Sequence, residues 1–195
     1  MKLITCGEGG AFFIKDQNKM NKAKEYFYLG LPSQTKSGID RQGTDSRWWE
    51  YQLNSPGRRS IFTNINAAIG LPQFSSLESS LRRREQIREA YTKTLNNLHI
   101  NYLKQDEPNV SYSNYFFTIR TNSRDDLAQY LKNNGVYSTF RYYPIHLIDL
   151  FKSHAEACPS ATAFAETALN IPIHHSMSDE DVSKVCQLLV SFFGS

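Results

Sequence analysis

Residues 2–11 read KLITCGEGGA, a lysine followed after four residues by three glycines that surround a glutamate. This is the densest glycine cluster in the chain, and it stands directly ahead of residues 11–15, whose composition predicts a short strand. A secretory signal would need an apolar region of roughly 7–15 residues, whereas the apolar run here stops at Gly7. The stretch is therefore expected to belong to the folded protein.

The composition of the 195 residues is that of an ordinary globular protein, with 40% hydrophobic and 21% charged residues. A net charge of +3 is too small to predict a nucleic-acid partner, and no run approaches the roughly 18 apolar residues of a membrane helix. The three cysteines are far apart and form no CxxC pair, which argues against a disulfide framework and a zinc site. We therefore expect a soluble, cytoplasmic protein with no metal, membrane or nucleic-acid partner.

Hydrophobic periodicity predicts six helices along the chain. The first is predicted over residues 17–29 and is ended by Gly30, and the second is capped by Thr63. The third has its apolar stripe over residues 87–98, and the fourth follows a capping-box pattern at Ser123 and Asp126. The fifth has its apolar stripe over residues 161–169, and the sixth begins at Ser178. In the second helix, the small residues Ala67, Ala68 and Gly70 permit close packing against a neighbouring element, while Pro72 removes a backbone donor.

Residues 115–119 and 136–143 are rich in β-branched and aromatic side chains, and they predict two strands. Residues 31–59 lack periodicity but contain Trp48, Trp49 and Tyr51, which predicts an ordered, packed loop. The alternation of strands and helices indicates a small α/β lobe over residues 77–195.

Two groups of basic residues have simple structural interpretations. Arg82, Arg83, Arg84 and Arg88 are expected to form one solvated face of a helix. The pair at residues 174–175 is adjacent in sequence, an arrangement more typical of a loop than of a metal site.

Five blocks of the sequence, in order, resemble the DegT/DnrJ/StrS family of sugar aminotransferases. In that family a lysine, four mostly apolar or threonine positions and Gly-Glu-Gly-Gly lead into a strand, as residues 2–10 do here. The other blocks are residues 63–70, 82–91, 141–146 and 171–174, the last before an acidic-capped helix. One block alone is weak evidence, but five ordered blocks span essentially the whole chain.

The resemblance implies a pyridoxal 5′-phosphate enzyme of the aspartate aminotransferase fold type, an α/β protein that works as a dimer. Lys2 matches the lysine that forms the Schiff base with the cofactor aldehyde, so it is the expected catalytic residue. Such an amine must be partly neutral, which requires desolvation or nearby positive charge. With Lys2 at this spacing, the glycines at 7, 9 and 10 favour close approach of the backbone to the cofactor over a simple tight turn.

Three further positions have two open interpretations each. Arg59 stands where many family members carry an asparagine that reaches the cofactor phosphate of the partner subunit. An arginine binds phosphate bidentately, so a cofactor-binding Arg59 and a solubilising surface arginine are equally open. Tyr143 and His146, which flank Pro144, are expected either to line the substrate mouth or to pack the small lobe.

In the family, roughly half of the polypeptide precedes this lysine and supplies the aromatic that stacks on the cofactor, the acid that pairs with its pyridine nitrogen, and most phosphate ligands. We therefore expect the C-terminal portion of an aminotransferase, with residues 1–76 as a remnant of the large lobe and residues 77–195 as the small lobe. A truncated, split or misannotated gene is expected, with Met1 as an internal methionine of the parent. The chain alone is expected to bind the cofactor poorly.

The resemblance implies transfer of an amino group, from glutamate, to the keto carbon of a nucleotide-linked deoxysugar. Residues 82–84 or the loop of residues 31–59 are candidate contacts for the diphosphate. Two alternatives stay open: a catalytically inactive interaction or regulatory domain, pairing with an intact homologous subunit through the helix after Thr63, and one half of a split enzyme. If residues 1–75 are a slice of a larger sheet, their exposed apolar faces predict aggregation or dimerisation.

Overall fold

The computed structural model of the protein describes residues 2–32, 53, 55–152 and 158–194. Contacts between Cα atoms divide the chain into two units: Leu3–Phe74 forms the first, and Ser75–Ser195 forms the second together with Lys2. The three aromatic residues at positions 48, 49 and 51, and most of the loop predicted for residues 31–59, lie outside the described residues. In the described part of the chain, no helix is long and apolar enough to cross a membrane.

The first unit contains helix α1 (Gln17–Phe27) and helix α2 (Asn64–Ser75). Helix α1 begins where the Asp16 carboxylate accepts a hydrogen bond from the Lys19 amide at 3.0 Å. Helix α1 ends at Phe27, two residues before the predicted end at residue 29, and the left-handed residue after its cap is Leu29, with φ +62°. Gly30, the predicted stop, has φ +79°, and a Cβ there would stand 1.9 Å from the Ser55 carbonyl oxygen.

Helix α2 begins after the predicted cap, since the Thr63 hydroxyl accepts a hydrogen bond from the Asn66 amide at 3.2 Å. Pro72 lies inside the helix, which continues through it. The strand predicted for residues 11–15 is wrong: this segment has no regular structure. A strand needs a neighbour to complete its hydrogen bonds, and the described residues of this unit provide none.

The described residues of the second unit form a three-stranded antiparallel sheet and four helices. The strands pair in the order β1 (Asn101–Tyr102), β2 (Phe117–Arg120) and β3 (Ala168–Ile171), with Ile119 opposite both Tyr102 and Leu169. The helices are α3 (Leu77–Asn97), α4 (Arg124–Asn133), α5 (Pro159–Thr167) and α6 (Asp179–Phe193), with a short 3₁₀ turn at Ile145–Leu147.

The core of the second unit forms where α3, α4 and α6 bury their apolar stripes against the sheet. Helix α3 contributes Ile87, Tyr91 and Leu95 to this core, as its periodicity predicts. The Tyr91 hydroxyl donates a hydrogen bond to the Pro172 carbonyl at 2.8 Å, and burial raises the pKa of this phenol. The core therefore accommodates one polar atom by giving it a hydrogen-bond partner.

Two predicted elements differ from the structure in this unit. Residues 136–143 form a single bridge, Thr139 to Asn170, in place of the predicted strand. The helix predicted over residues 161–169 ends at Thr167, and Ala168 begins β3. All four residues of β3 are buried, so they lack the alternation that marks a half-buried strand, and two of them prolong the helical stripe.

The capping box is placed differently from the prediction. Ser123 precedes α4, but its side chain makes no capping hydrogen bond. The reciprocal pair lies instead at the start of α6, where the Ser178 hydroxyl accepts from the Asp181 amide and the Asp181 carboxylate accepts from the Ser178 amide.

Adjacent residues of α6 provide a test of this core. Leu189 is fully buried and Val190 is 49% exposed. We expect Leu189→Ala to lower the free energy of unfolding by about 2–5 kcal/mol, because it leaves a cavity among α3, α4 and the sheet. Val190→Ala is the matched control and should change it by no more than about 0.5 kcal/mol. Equal effects in urea unfolding would show that α6 does not pack as described.

Candidate functional site

Side-chain amides of α2 hold the segment that follows Lys2. The Gln73 amide accepts a hydrogen bond from the Thr5 amide at 3.0 Å and donates one to the Thr5 carbonyl at 2.7 Å. The Asn66 amide donates to the Cys6 carbonyl. These three bonds replace the neighbouring strand that the main chain of this segment would otherwise need.

The small size of Gly70 allows the same segment to pack closely against α2. Gly70 is buried, and a Cβ at this position would stand 2.6 Å from the Cys6 sulfur. A larger residue at 70 would push the segment away from the helix. The close packing predicted from the small residues of α2 is therefore confirmed at Gly70, with Cys6 as its neighbour.

The glycine cluster after this segment is shaped by backbone conformation. Gly7 has φ +85° and Gly9 has φ +140°, values that side-chain-bearing residues rarely adopt. A Cβ at Gly9 would stand 2.9 Å from the Phe62 ring, whereas a Cβ at Gly10 would meet no atom within 4 Å. The exposed backbone of residues 7–10 thus turns tightly at Gly7 and Gly9, whereas the space beside Gly10 is open.

Lys2 itself is exposed. Within the second unit, its ammonium group lies 5.4 Å from the centroid of the Tyr115 ring. The described residues therefore do not bury the Lys2 amine, and the desolvation that the sequence resemblance requires of it is not provided by them.

Arg59 lies in a segment that runs antiparallel to the end of α1. Its main chain bridges Tyr28, and the Ser60 amide donates to the Phe27 carbonyl at 3.0 Å. The Arg59 side chain is exposed, while the neighbouring Arg58 guanidinium lies 5.8 Å from the Phe27 ring. Among the described residues, no hydrogen bond joins Arg59 to residues 2–10, so the structure leaves its guanidinium available without placing it beside Gly7.

Tyr143 and His146 lie in the second unit, before and within the 3₁₀ turn. Tyr143 is exposed, and the His146 ring is half-buried with Nε2 2.9 Å from the Thr162 hydroxyl. His146 thus has a partner on α5, whereas the Tyr143 ring faces solvent.

The basic run on α3 does not form one solvated face, and that expectation is wrong for Arg84. Arg84 is only 6% exposed, and its guanidinium donates to the carbonyls of Asn114 and Ile173 at 3.1 and 2.7 Å. Burial lowers the pKa of this side chain. A sequence signal existed, because Arg84 precedes Ile87 and Tyr91 at steps of three and four residues on the buried stripe.

Its two neighbours have different surroundings. Arg83 donates to the Met177 carbonyl at 2.8 Å and pairs with Asp179, so it joins α3 to the start of α6. Arg82 is exposed and lies 3.5 Å from Glu78. His174 and His175 are both exposed in the loop before α6, as the sequence suggests for this pair.

The chain has the fold of the pyridoxal phosphate-dependent sugar aminotransferases and comprises about half of that fold. The solved structure of the aminotransferase TlmJ from Streptoalloteichus hindustanus is 32% identical, with a TM-score of 0.83 over 98% of this chain and 49% of that one. The chain belongs to the DegT/DnrJ/EryC1/StrS aminotransferase family, whose model matches residues 1–190. The family resemblance and the α/β fold class inferred from the sequence are confirmed.

Two curated relatives show the same partial coverage. The chain is 29% identical over 188 residues to dTDP-4-dehydro-2,3,6-trideoxy-D-glucose 4-aminotransferase of Saccharopolyspora spinosa, covering 95% of this chain and 48% of that protein. It is 25% identical over 195 residues to GDP-perosamine synthase of Escherichia coli O157:H7, covering 98% and 49%. The chain thus spans about half the length of the curated relatives it matches, and their family depends on pyridoxal phosphate.

Gly9 and Gly10 form a matched pair for testing the geometry of the cluster. We expect Gly9→Ala to speed hydrogen exchange of the Thr5 amide by about tenfold or more, because the added Cβ meets Phe62 at an unfavourable φ. Gly10→Ala should change this rate by less than about twofold, since the space around it is open. Similar rates in both variants would contradict the described turn.

Proposed function

We propose that this chain is the C-terminal part of a pyridoxal phosphate-dependent aminotransferase that transfers an amino group from glutamate to a nucleotide-linked keto-deoxysugar. The family match over residues 1–190 and the nucleotide-sugar names of its relatives support this proposal. The observation that carries it is the lysine-to-glycine stretch, whose main chain at Thr5 and Cys6 is bonded to α2.

The residues present fit one part of the cofactor. A covalent attachment needs an amine and backbone that a flat ring can approach, and residues 2–10 contain an exposed amine at Lys2 and open backbone at Gly10. Arg59 would bind the phosphate through its exposed guanidinium, and Gly7 would allow the main chain to approach the ring. The remaining contacts would come from the half of the family fold that this chain does not span.

When bound, pyridoxal phosphate supplies an aldehyde for an amine and a ring that stabilises negative charge on the donor carbon. Lys2 Nζ would hold the cofactor and, once freed by the incoming amine, would carry a proton between the donor carbon and the cofactor. This role needs a neutral amine, so the exposed Lys2 must be desolvated when the site is completed. Tyr143 and His146 are proposed to line the substrate mouth.

The two units are proposed to be parts of different lobes, with residues 1–76 belonging to the large lobe and residues 77–195 forming the small one. No hydrophobic side chain is buried in residues 3–32, 53 and 55–74, the described part of the first unit. The second unit holds the whole described core. Because a folded lobe normally buries its apolar residues, the described part of the first unit needs further chain against it.

A second candidate function, a catalytically inactive pairing domain, is favoured by one observation. Helix α2 exposes Ile65, Leu71 and Phe74, each by 66% or more. Such a patch is typical of an interaction surface, so the helix after Thr63 would bind either an intact homologous subunit or the other half of a split enzyme. Active and inactive assemblies share this contact and differ in whether Lys2 reaches the cofactor.

Reductive labelling tests the proposed role of Lys2. The chain is combined with the half of the family fold that it does not span, given pyridoxal phosphate and reduced with borohydride, and the labelled peptides are mapped. We expect most of the label on Lys2, one of eleven lysines, because the completed site desolvates only this amine.

Lys2→Ala should lose that label, whereas Lys15→Ala, which removes an exposed lysine of the first unit, should retain it. The chain on its own should give weak labelling spread over its lysines. Strong labelling elsewhere, with Lys2 unmodified in the combined protein, would refute the assignment.

Light scattering tests whether the first unit needs a partner. We expect the isolated chain to form dimers or larger species, because association removes the exposed apolar side chains of α2 from water and so lowers the free energy. An Ile65→Asp/Phe74→Asp double variant should shift the mass toward the monomer, and Asn64→Asp is the matched control on the same helix. A clean wild-type monomer would count against the incomplete-lobe proposal.

A further inference from the structure

The segment of residues 55–60 passes the end of α1 at a point where two glycines meet. A Cβ at Gly57 would stand 2.2 Å from the Gly30 nitrogen, and one at Gly30 would stand 1.9 Å from the Ser55 carbonyl oxygen. Neither position therefore accepts a side chain. Because the two main chains lie this close, the residues that follow Gly57 have little freedom to slide along the end of the helix.

Main-chain hydrogen bonds fix the register of the same segment. The Arg58 amide donates to the Tyr26 carbonyl at 2.8 Å, and the Leu29 amide donates to the Arg58 carbonyl at 3.2 Å. The next residue, Arg59, forms an antiparallel bridge with Tyr28. Successive side chains of an extended chain point to opposite sides, so the side chains of Arg58 and Arg59 leave the segment in opposite directions.

The guanidinium of Arg58 lies against two aromatic rings of α1. Its Cζ atom is 5.8 Å from the centroid of the Tyr26 ring and 5.8 Å from that of the Phe27 ring, and the two rings are 5.6 Å apart in an edge-to-face arrangement. A guanidinium is attracted to aromatic rings at this distance. The charge of Arg58 is therefore directed toward α1, although the residue is exposed.

The guanidinium of Arg59 has different surroundings. In the part of the chain that the structure describes, no ring contact, ion pair or side-chain hydrogen bond holds it. Like charges repel, which favours placing two adjacent arginines on opposite sides of the segment. An anion on the side away from the α1 rings would therefore meet Arg59 and not Arg58.

We propose that Arg58 is a positioning residue for Arg59, the proposed phosphate ligand. By resting on the two rings of α1, Arg58 holds the segment in the orientation that leaves the Arg59 guanidinium free on the other side. The inference rests on the proposed function, because it takes the cofactor phosphate as the ligand of Arg59. It adds that the two arginines are not equivalent: Arg59 contacts phosphate, whereas an aromatic residue that packs on the same rings can replace Arg58.

Hydrogen exchange of the Ser60 amide, which donates to the Phe27 carbonyl at 3.0 Å, tests the positioning in the 195-residue chain. We expect Arg58→Ala to speed this exchange about threefold or more, because the contact with the rings is lost. Arg58→Tyr should change the rate by less than about 1.5-fold, since a tyrosine packs on the same rings. Lys22→Ala, which removes an exposed cation of α1, is the matched control and should leave the rate unchanged.

Comparison of pyridoxal phosphate with pyridoxal isolates the contribution of the phosphate. Both are titrated by absorbance into the chain combined with the half of the family fold that it does not span. We expect Arg59→Ala to weaken pyridoxal phosphate at least about tenfold and Arg58→Ala about threefold, while the affinity for pyridoxal changes less than about twofold. Arg58→Tyr should restore the affinity for pyridoxal phosphate, and Lys22→Ala should leave both affinities unchanged.

The outcomes separate this inference from the proposed function. If borohydride reduction places the label outside Lys2, the proposed function fails and the inference fails with it. If Lys2 is labelled but Arg59→Ala binds pyridoxal phosphate as tightly as the wild type, only the inference is overturned.

Three further results would also overturn the role of Arg58 alone. Equal loss of pyridoxal phosphate affinity in Arg58→Tyr and Arg58→Ala would show that Arg58 itself binds the phosphate. Equal loss of pyridoxal and pyridoxal phosphate affinity in Arg58→Ala would show a merely structural role. An unchanged exchange rate of the Ser60 amide in Arg58→Ala would show that the ring contact does not hold the segment.

Discussion

The side-chain amide of Gln73 is the constraint on which the candidate site depends. By accepting from the Thr5 amide and donating to the Thr5 carbonyl, it supplies both bonds that a neighbouring strand would offer. Asn66 adds a third bond at Cys6, and Gly70 leaves room for the Cys6 side chain. Without these contacts the three glycines that follow would have no fixed backbone from which to turn.

The buried apolar side chains lie in one unit of this chain, and the glycine cluster and Arg59 lie in the other. The second unit has its own core, in which helices α3, α4 and α6 cover the sheet and Arg84 is held by main-chain carbonyls. The described residues of the first unit bury no hydrophobic side chain, yet they carry the glycine cluster and Arg59. A cofactor site built on these residues needs a further part of the family fold to exclude water, which agrees with coverage of about half of each relative.

The sequence predicts the helices well because their stripes and end signals are local, as at Thr63 and Ser178. It fails where pairing over long distances decides the structure. Residues 168 and 169 prolong a helical stripe but belong to β3, which pairs with β2. Residues 11–15 resemble a strand but have no strand partner among the described residues. The site is predicted only through family resemblance, since no periodicity reveals that Gly9 faces Phe62 or that Gln73 bonds Thr5.

The central claim is that Lys2 is the cofactor lysine of a family aminotransferase. It is tested most directly by a crystal structure, with pyridoxal phosphate, of this chain together with the half of the family fold that it does not span. The account predicts continuous electron density from Lys2 Nζ to the cofactor, with the glycine cluster beside the ring. Density that shows Lys2 in bulk solvent, with the cofactor bound elsewhere or through another lysine, would contradict it.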